Sequence, residues 1–520
     1  MAAPKVFPRV RHSAGTKSCI RCVFEGQTTA VANCLLIPRR DVTRSSRVVK
    51  AEAGPSLHST STTPSLMRPL CPLIRRGNTS NLGHFQRRQL LTLAIETSCD
   101  DTSVAVLEKH KNNSATLHFH SKITSDNRLY GGVHPIASHE SHQKNLAILI
   151  DQALHSLPKQ KDACQHHKKV LCLGSSGREI RNKPDFITVT RGPGMRASLN
   201  TGLDTAKGLA VAWQIPFLGV NHMQAHALTP RLVSALDATE SGSNVVTDKD
   251  PAFPFLSLLV SGGHTMLVHS RSLCDHEILA DTTDMAVGDM IDKTAREVLP
   301  QEYLQSAADV MYGKLLEAFA FPEEQSVHDY VPPSSFTRPR ISLLPEYEWK
   351  INPPYCSPGS EGSIKYADAF TFSGIGSAVK KIMGRFPEMD DTGRRMLARE
   401  TMALSFEHLA SRVLFALKRV DTQSIKALVV SGGVASNQFL KTILRENLNA
   451  KGFQDMKLVF PPPKFCTDNA AMIAWTGIEM YEAGWRTSLD AMAIKKWPVD
   501  PKGTDGGILG VDGWSADNVT

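Results

Sequence analysis

Two histidines four residues apart, His222 and His226, follow the apolar run at 216–220. On a helix, side chains at i and i+4 share one face with Cβ atoms about 5–6 Å apart, so both imidazoles can reach one transition-metal ion. Two surface or capping histidines would have the same spacing, and a third ligand is what separates the two readings. Asp468 is the candidate. It follows an apolar stretch at 458–460 and three prolines, and it precedes the apolar run 472–475, so it sits where a strand ends and a helix begins. Its competing role there is a helix N-cap. Two imidazoles and one carboxylate leave coordination positions open, as a catalytic or substrate-orienting metal requires.

A second set of residues suits phosphate. Ser261, Gly262, Gly263 and His264 form one small-residue loop, and Ser431, Gly432 and Gly433 another. Each offers backbone N–H groups at a bend where no Cβ blocks an approaching phosphate. The pair Gly262 and Gly263 is expected to supply the positive φ of a tight hairpin turn. With the acid and hydroxyl residues at 96–103, these loops meet the needs of a nucleotide cleft, although either one also serves as a purely structural turn. Asp289, Asp292 and Arg296 read as an exposed charge ladder at i+3 and i+4 spacing; the functional alternative has Asp292 accepting hydrogen bonds from a ribose. Gly288, inside the same helical stretch, costs about 1 kcal/mol relative to Ala and so needs a close-approach reason.

These residues must be held by alternating strands and helices. Apolar, β-rich runs at 91–95 and 104–107 predict a hairpin, as do those at 255–260 and 265–268, and the strand at 427–430 leads through the second glycine loop into a helix at 438–448. Helical spacing recurs at 145–156, 201–213, 285–299, 372–383 and 394–419. Strands alternating with helices predict α/β layers. Residues 158–184, 238–251 and 322–363 have the composition of surface excursions and are expected to add little to a core. Two hairpin units roughly 160 residues apart suggest an internal duplication into two lobes with a cleft.

Composition narrows the setting. The chain has 520 residues, 59 Lys plus Arg against 51 Asp plus Glu, and a formal charge of +8, which excludes a collagen, a coiled coil or a wholly disordered polypeptide. The charge is uneven: residues 1–90 carry 15 basic and three acidic side chains, so the remainder is mildly acidic at −4. A proline-broken segment rich in Arg, Ser and Thr, without a continuous apolar core, reads as an organelle transit segment with a disordered tail; a nucleic-acid-binding arm is the other reading. Of the ten cysteines the six beyond residue 90 are scattered without paired spacing, and the one CxxC, Cys19 to Cys22, has no partner pair, a pattern that suits a reducing compartment. No window of about 18 uninterrupted apolar residues is present, so no membrane span is expected.

Taken in chain order, several segments resemble the tRNA threonylcarbamoyladenosine transferases, the TsaD-like or glycoprotease family, and in particular its mitochondrial branch. They are 93–102, Tyr130 to Val133 with Ile136, Ser138 and His142, 190–194, 219–223, 259–265, Asp292 with Lys293, 372–374, 431–437 and 466–469. The resemblance implies an α/β, actin-like ATPase fold of two lobes, each with a βββαβα unit and ligand in the cleft between them. It implies a transit peptide and tail at 1–88, lobe I at 89–250, lobe II at 251–490 with an insertion at 322–363, and a C-terminal segment at 491–520 returning to lobe I. It assigns His222, His226 and Asp468 as metal ligands, Leu259, Val260, Ser261, Gly262 and Gly263 as the adenylate loop, Asp292 as a ribose contact, Gly313 as a substrate glycine and Asn437 as an adenine-side contact.

The implied reaction moves a threonylcarbamoyl group from threonylcarbamoyl-AMP to the N6 amine of the adenosine 3′ of the anticodon in tRNAs that read ANN codons. The implied setting is the mitochondrial matrix. The implied company is one divalent ion, Fe or Zn, per subunit, an upstream threonylcarbamoyl-AMP synthase, tRNA, and a second copy in a homodimer. The older endopeptidase label conflicts with the residues, because Met223 stands where an HExxH protease has its general-base Glu. An actin-fold small-molecule kinase would have no use for the His, His, Asp set. The chain departs from the family at Gln224, Ala225 and Gly376. Candidate tRNA-binding patches are Lys380, Lys381 with Arg385; Arg394, Arg395 with Arg399; and Lys418 with Arg419.

Overall fold

β1 (Leu90–Glu96) is buried at every position because both of its faces are covered. Leu91, Leu93 and Ile95 join one hydrophobic cluster while Leu90 and Ala94 join another, the two-residue alternation of a strand lying between two layers of helix. The computed structural model describes residues 89–516 except 131, 160–169, 175–178, 241–248, 306–311, 324–326, 328, 357–363, 422–423 and 504. The basic segment at 1–88 lies outside the described residues, as do parts of all three expected excursions.

β2 (Asp101–Lys109) pairs antiparallel with β1, and β3 (Ala115–Thr124) antiparallel with β2. After α1 (Pro135–His155), β4 (Val170–Leu173) and β5 (Glu179–Asn182) form a separate small hairpin. β6 (Phe186–Gly192) then lies parallel to β1 on its other side. α2 (Arg196–Trp213) carries the chain back to β7 (Phe217–Asn221), parallel to β6, and α3 (His222–Glu240) starts at the next residue. The sheet order is β3-β2-β1-β6-β7.

The pattern then repeats. β8 (Phe255–Val260), β9 (Thr265–Ser272) and β10 (Asp275–Thr282) form an antiparallel meander. A largely helical stretch follows: α4 (Val287–Val298), α5 (Gln301–Gln305), α6 (Gly313–Ala320), the short ribbon β11 (Arg340–Ile341) and β12 (Lys350–Ile351), β13 (Ala369–Phe370), α7 (Ser373–Arg385) and α8 (Asp391–Leu417). β14 (Ala427–Ser431) lies parallel to β8; past α9 (Gln438–Ala450), β15 (Lys457–Val459) lies parallel to β14. The order β13-β10-β9-β8-β14-β15 reproduces the first sheet strand for strand once β13 is set aside. Both are mixed sheets in an α/β arrangement.

The last elements are α10 (Pro463–Cys466), α11 (Ala470–Glu482), β16 (Trp485–Thr487) and β17 (Trp514–Ala516). α11 crosses back to the first sheet, where Ile473, Trp475 and Ile478 share a cluster with Phe186, Leu218 and Leu228. This return delivers Asp468, just ahead of α11, to the start of α3. Among the described residues no helix is long and apolar enough to cross a membrane.

Three sequence expectations need correction. α1 begins at Pro135, ten residues before the predicted start, because proline is well suited to a first helical turn and residues 139–145 are too polar to show an apolar period. α2 likewise begins at Arg196 rather than 201. The stretch 322–363 does contribute to the core: Val327, Trp349 and Ile351 belong to the largest hydrophobic cluster. Its prolines abolish any period, yet irregular backbone still buries isolated large side chains. The stretch is also pinned by polar contacts, with Arg340 3.2 Å from Glu400 and the Tyr330 hydroxyl donating to Glu407 at 2.9 Å.

Candidate metal centre

β7 ends at Asn221, whose side-chain oxygen accepts the N–H groups of Met223 and Gln224 at 2.9 and 3.2 Å and so fixes the first turn of α3. That turn carries His222 and His226, with rings perpendicular to each other and centroids 4.7 Å apart. Their Nε2 atoms are 3.2 Å apart, and Oδ1 of Asp468 lies 3.3 Å from the first and 3.1 Å from the second. The N-cap role left open for Asp468 falls to its neighbour: Asn469 accepts the Met472 N–H at 3.0 Å. Asp468 is thereby free to face the imidazoles. Its side chain keeps 24% of its surface exposed against 7% and 6% for the histidines, so the cluster opens to solvent on the carboxylate side.

The electrostatics favour positive charge at this point. Burial works against ionised Asp468, but the imidazole of His222, followed by His226, outweighs it and holds the carboxyl well below its usual range. Burial likewise opposes protonated His222, and Asp468 and Glu96 overcome it, raising that imidazole well above its ordinary value. A proton or a metal cation would satisfy the same field.

Glu96, which the sequence groups with the acid and hydroxyl loop at 96–103, meets His222. It ends β1, fully buried, with one oxygen accepting the Ser98 N–H at 2.7 Å and the other touching the Thr190 hydroxyl and lying 3.5 Å from Nδ1 of His222. The Ser98 hydroxyl is 3.3 Å from the same nitrogen. An N–H on Nδ1 pointed at these oxygens would leave the Nε2 lone pair for a cation on the side shared with His226 and Asp468, which is how an outer partner sets a ligand tautomer. The signal in the sequence was an acid closing an apolar strand, where burial obliges it to find a partner. Nδ1 of His226 is buried and has no hydrogen-bond partner among the described residues. Two imidazole nitrogens and a carboxylate oxygen, all within 4.8 Å of one another, are a donor set that fits a divalent ion.

The two glycine loops lie beside each other. Neither Gly262 nor Gly263 has positive φ, so the expected glycine turn is wrong. The Ser261 hydroxyl makes the turn instead, accepting the N–H groups of Gly263 and His264 at 3.2 and 2.9 Å. Among the described residues a Cβ on Gly262 or Gly263 would meet nothing within 4 Å, so the space above them is open. Leu259 and Val260 bury their side chains in separate cores and can offer a ligand only backbone. Gly432 does have positive φ, +100°, and a Cβ there would fall 2.3 Å from the Val260 carbonyl oxygen. Gly288 meets the requirement for close approach: a Cβ would lie 2.6 Å from the Ser261 carbonyl oxygen, to which its N–H donates at 3.1 Å. These glycines let β8, β14 and the start of α4 converge. The Ser431 hydroxyl donates to the His226 carbonyl at 3.1 Å, joining the loops to α3. Burial, then the imidazole of His222, pushes His264 down to about 4.

The remaining predicted residues form pairs or caps. Asp292 is not part of an exposed ladder, since Lys293 takes Asp289 at 2.8 Å while Asp292 accepts the Gly313 N–H at 2.8 Å. Burial raises its carboxyl to about 6 against the pull of that N–H. Gly313 opens α6 just after Tyr312, and Met311 before that lies outside the described residues. Asn437 caps α9 through the Leu440 N–H at 2.9 Å. Among the basic patches, Arg394, Arg395 and Arg399 spend their guanidinium groups on the carbonyls of Met389, Val298, Pro387, Phe319 and Ala320. Lys380, Lys381 and Arg385 stay exposed.

Fold and site together define an α/β protein with a candidate metal centre where the ends of both mixed sheets and the α3 and α11 approaches meet. Known proteins make that class specific. A family model described as TsaD, tRNA N6-adenosine threonylcarbamoyltransferase, matches residues 173–475. The mitochondrial tRNA N6-adenosine threonylcarbamoyltransferase of Schizosaccharomyces pombe is 38% identical over 438 residues, which are 82% of this chain and 89% of that one. The tRNA N6-adenosine threonylcarbamoyltransferase of Brucella suis is 32% identical over 416 residues, 79% of this chain and 95% of that one. The chain belongs to the tRNA N6-adenosine threonylcarbamoyltransferase family and is a transferase.

Proposed function

We propose that this chain transfers the threonylcarbamoyl group of threonylcarbamoyl-AMP to the N6 amine of the adenosine 3′-adjacent to the anticodon of ANN-reading tRNAs, in the mitochondrial matrix. The observation that carries this reading is the meeting of His222, His226 and Asp468 beside the two glycine loops. In the step, the N6 nitrogen forms a bond to the carbamoyl carbon, the bond from that carbon to the phosphate oxygen breaks, the amine loses a proton, and AMP leaves. AMP is a good leaving group, so the protein need not supply a strong nucleophile. Its own work is to bind and orient the donor.

His222, His226 and Asp468 would hold one divalent ion, Fe or Zn, and such an ion when bound polarises a carbonyl or anchors a carboxylate. The N–H groups of Gly262, Gly432 and Gly433, rather than those of Gly263 and His264 that the Ser261 hydroxyl already takes, would meet the adenylate phosphate, where fixed dipoles offset developing negative charge. Asp292 takes the ribose, with its second partner Gly313 placing it, and Asn437 borders the adenine. The duplicated sheets are the cores of two lobes of an actin-like ATPase fold, at 89–250 and 251–490, with α11 and residues 491–520 returning to the first and the donor bound between them. Residues 1–88 act as a transit peptide and tail. A homodimer supplied by a threonylcarbamoyl-AMP synthase completes the proposal. The protease reading has no support at residue 223, where a buried methionine stands.

Nucleoside mass spectrometry of mitochondrial tRNA tests this in cells lacking the chain. Threonylcarbamoyladenosine is expected to disappear and to return with the wild-type gene but not with Asp468→Ala. Its persistence in the deleted cells would remove the assignment.

A further inference from the structure

From the loop after β3 into the first turn of α1 the surface carries four exposed apolar side chains within eight residues. They are Leu129 at 94%, Tyr130 at 54%, Val133 at 48% and Ile136 at 65% relative exposure. Single exposed hydrophobes need no explanation, but a group of them does. This group surrounds a stacked pair: the Tyr130 ring lies on that of His134 with centroids 3.9 Å apart and planes 12° from parallel. His134 covers one face of the tyrosine, and the ring remains half exposed.

The platform is tied to the candidate centre. Buried Asn127 is the junction: its side-chain nitrogen donates to Asp100 at 3.2 Å, its side-chain oxygen accepts the His134 N–H at 3.0 Å, and its carbonyl accepts the Tyr130 N–H at 3.0 Å. Asp100 belongs to the loop whose Ser98 hydroxyl reaches His222 at 3.3 Å. The stacked pair therefore has a fixed place relative to the loop that lines the site.

We infer that Tyr130 is a stacking platform for a nucleobase flanking the target adenosine in the single-stranded loop of the RNA substrate. The inference rests on the proposed activity. Enzymes that do chemistry on a base commonly take it out of the stack, and the neighbours so displaced gain from a surface to stack on. Aromatic rings supply one without regard to sequence, and single-stranded RNA is commonly held this way. A second copy of the chain is the competing occupant of so apolar a patch, and the test distinguishes them.

Full-length protein would be assayed for tRNA binding and transfer as wild type, Tyr130→Ala and Tyr130→Phe. The expected result is a tRNA Kd and KM raised about 5- to 100-fold in Tyr130→Ala, near wild type in Tyr130→Phe, with the KM for threonylcarbamoyl-AMP unchanged in both. A tRNA with 2-aminopurine beside the target adenosine should be quenched on binding wild type and Tyr130→Phe but not Tyr130→Ala. Unchanged tRNA affinity in Tyr130→Ala overturns the inference, and a change in oligomeric state with unchanged affinity assigns the patch to a second copy. A wild-type chain that binds tRNA yet transfers nothing refutes the activity instead, and the quenching result still decides the platform.

Discussion

Asp468 and Asn469 are chemically similar neighbours at the start of one helix, yet their tasks differ. Asn469 satisfies the first turn of α11, while Asp468 meets the two imidazoles. Replacing Asn469 by Ala should lower stability by about 1 kcal/mol, the usual cost of a lost cap, measured by denaturant unfolding. Replacing Asp468 or His226 by Ala leaves that cap in place and should abolish retention of a divalent ion, measured by elemental analysis after dialysis. An Asp468→Ala chain that holds the ion as firmly as wild type would show that the cluster is not its site. The two histidines were legible because i, i+4 spacing implies a shared face. Asp468 was legible as a candidate only, since nothing local separates a cap from a ligand 242 positions away. Glu96 was seen as an acid in a loop, but its partner depends on where β7 ends, and pairing between β1, β6 and β7 decides that.

The glycine loops show how much an element's neighbours matter. Gly262 and Gly432 look alike in sequence, both following a serine that closes an apolar strand. Gly432 is needed for the fold, because positive φ and a carbonyl oxygen 2.3 Å from its would-be Cβ exclude any side chain. Gly262 faces open space. Gly432→Ala should therefore destabilise the chain by about 1–3 kcal/mol, whereas Gly262→Ala should leave the melting temperature unchanged and weaken adenylate binding at least severalfold. Equal adenylate affinity in Gly262→Ala and wild type, by calorimetry, would remove that loop from the phosphate site. The sequence suggested both loops correctly as turns but misjudged which chemistry makes the first one, because the Ser261 hydroxyl substitutes for a left-handed residue. The strands were the most readable elements, their apolar runs following from burial on both faces. The early start of α1 was hidden by polar residues that only a helix along one side of a sheet could use.

At the scale of the whole molecule, two mixed sheets of one topology are bound together by α11, which leaves the second sheet and covers the first. The duplication was visible as two similar hairpins; the return of α11 was not, since an apolar helix does not declare which sheet it will cover. This interior also stores neutral histidines. Burial lowers His276 to about 4 and, reinforced by Arg412, holds His408 well below its ordinary value. Both bind protons more readily when unfolded, so their contribution is complete above about pH 6.5 and is lost as pH falls below it, for His276 down to about pH 4, by about 1.4 kcal/mol per pH unit for each proton taken up. Stability should fall along this acid limb, and His276→Gln should flatten it; an identical pH profile in the variant would contradict the assignment.

The central claim, that three side chains distant in sequence make one centre for acyl transfer to tRNA, is tested most directly with purified protein. Wild type, His226→Ala and Asp468→Ala are each incubated with threonylcarbamoyl-AMP and an ANN-reading tRNA, and the modified nucleoside is quantified by mass spectrometry. The account predicts stoichiometric modification by wild type and a loss of at least about 100-fold in rate for either variant, of the size expected when a ligand or its fixed electrostatics is removed. Modification by Asp468→Ala at the wild-type rate would contradict it.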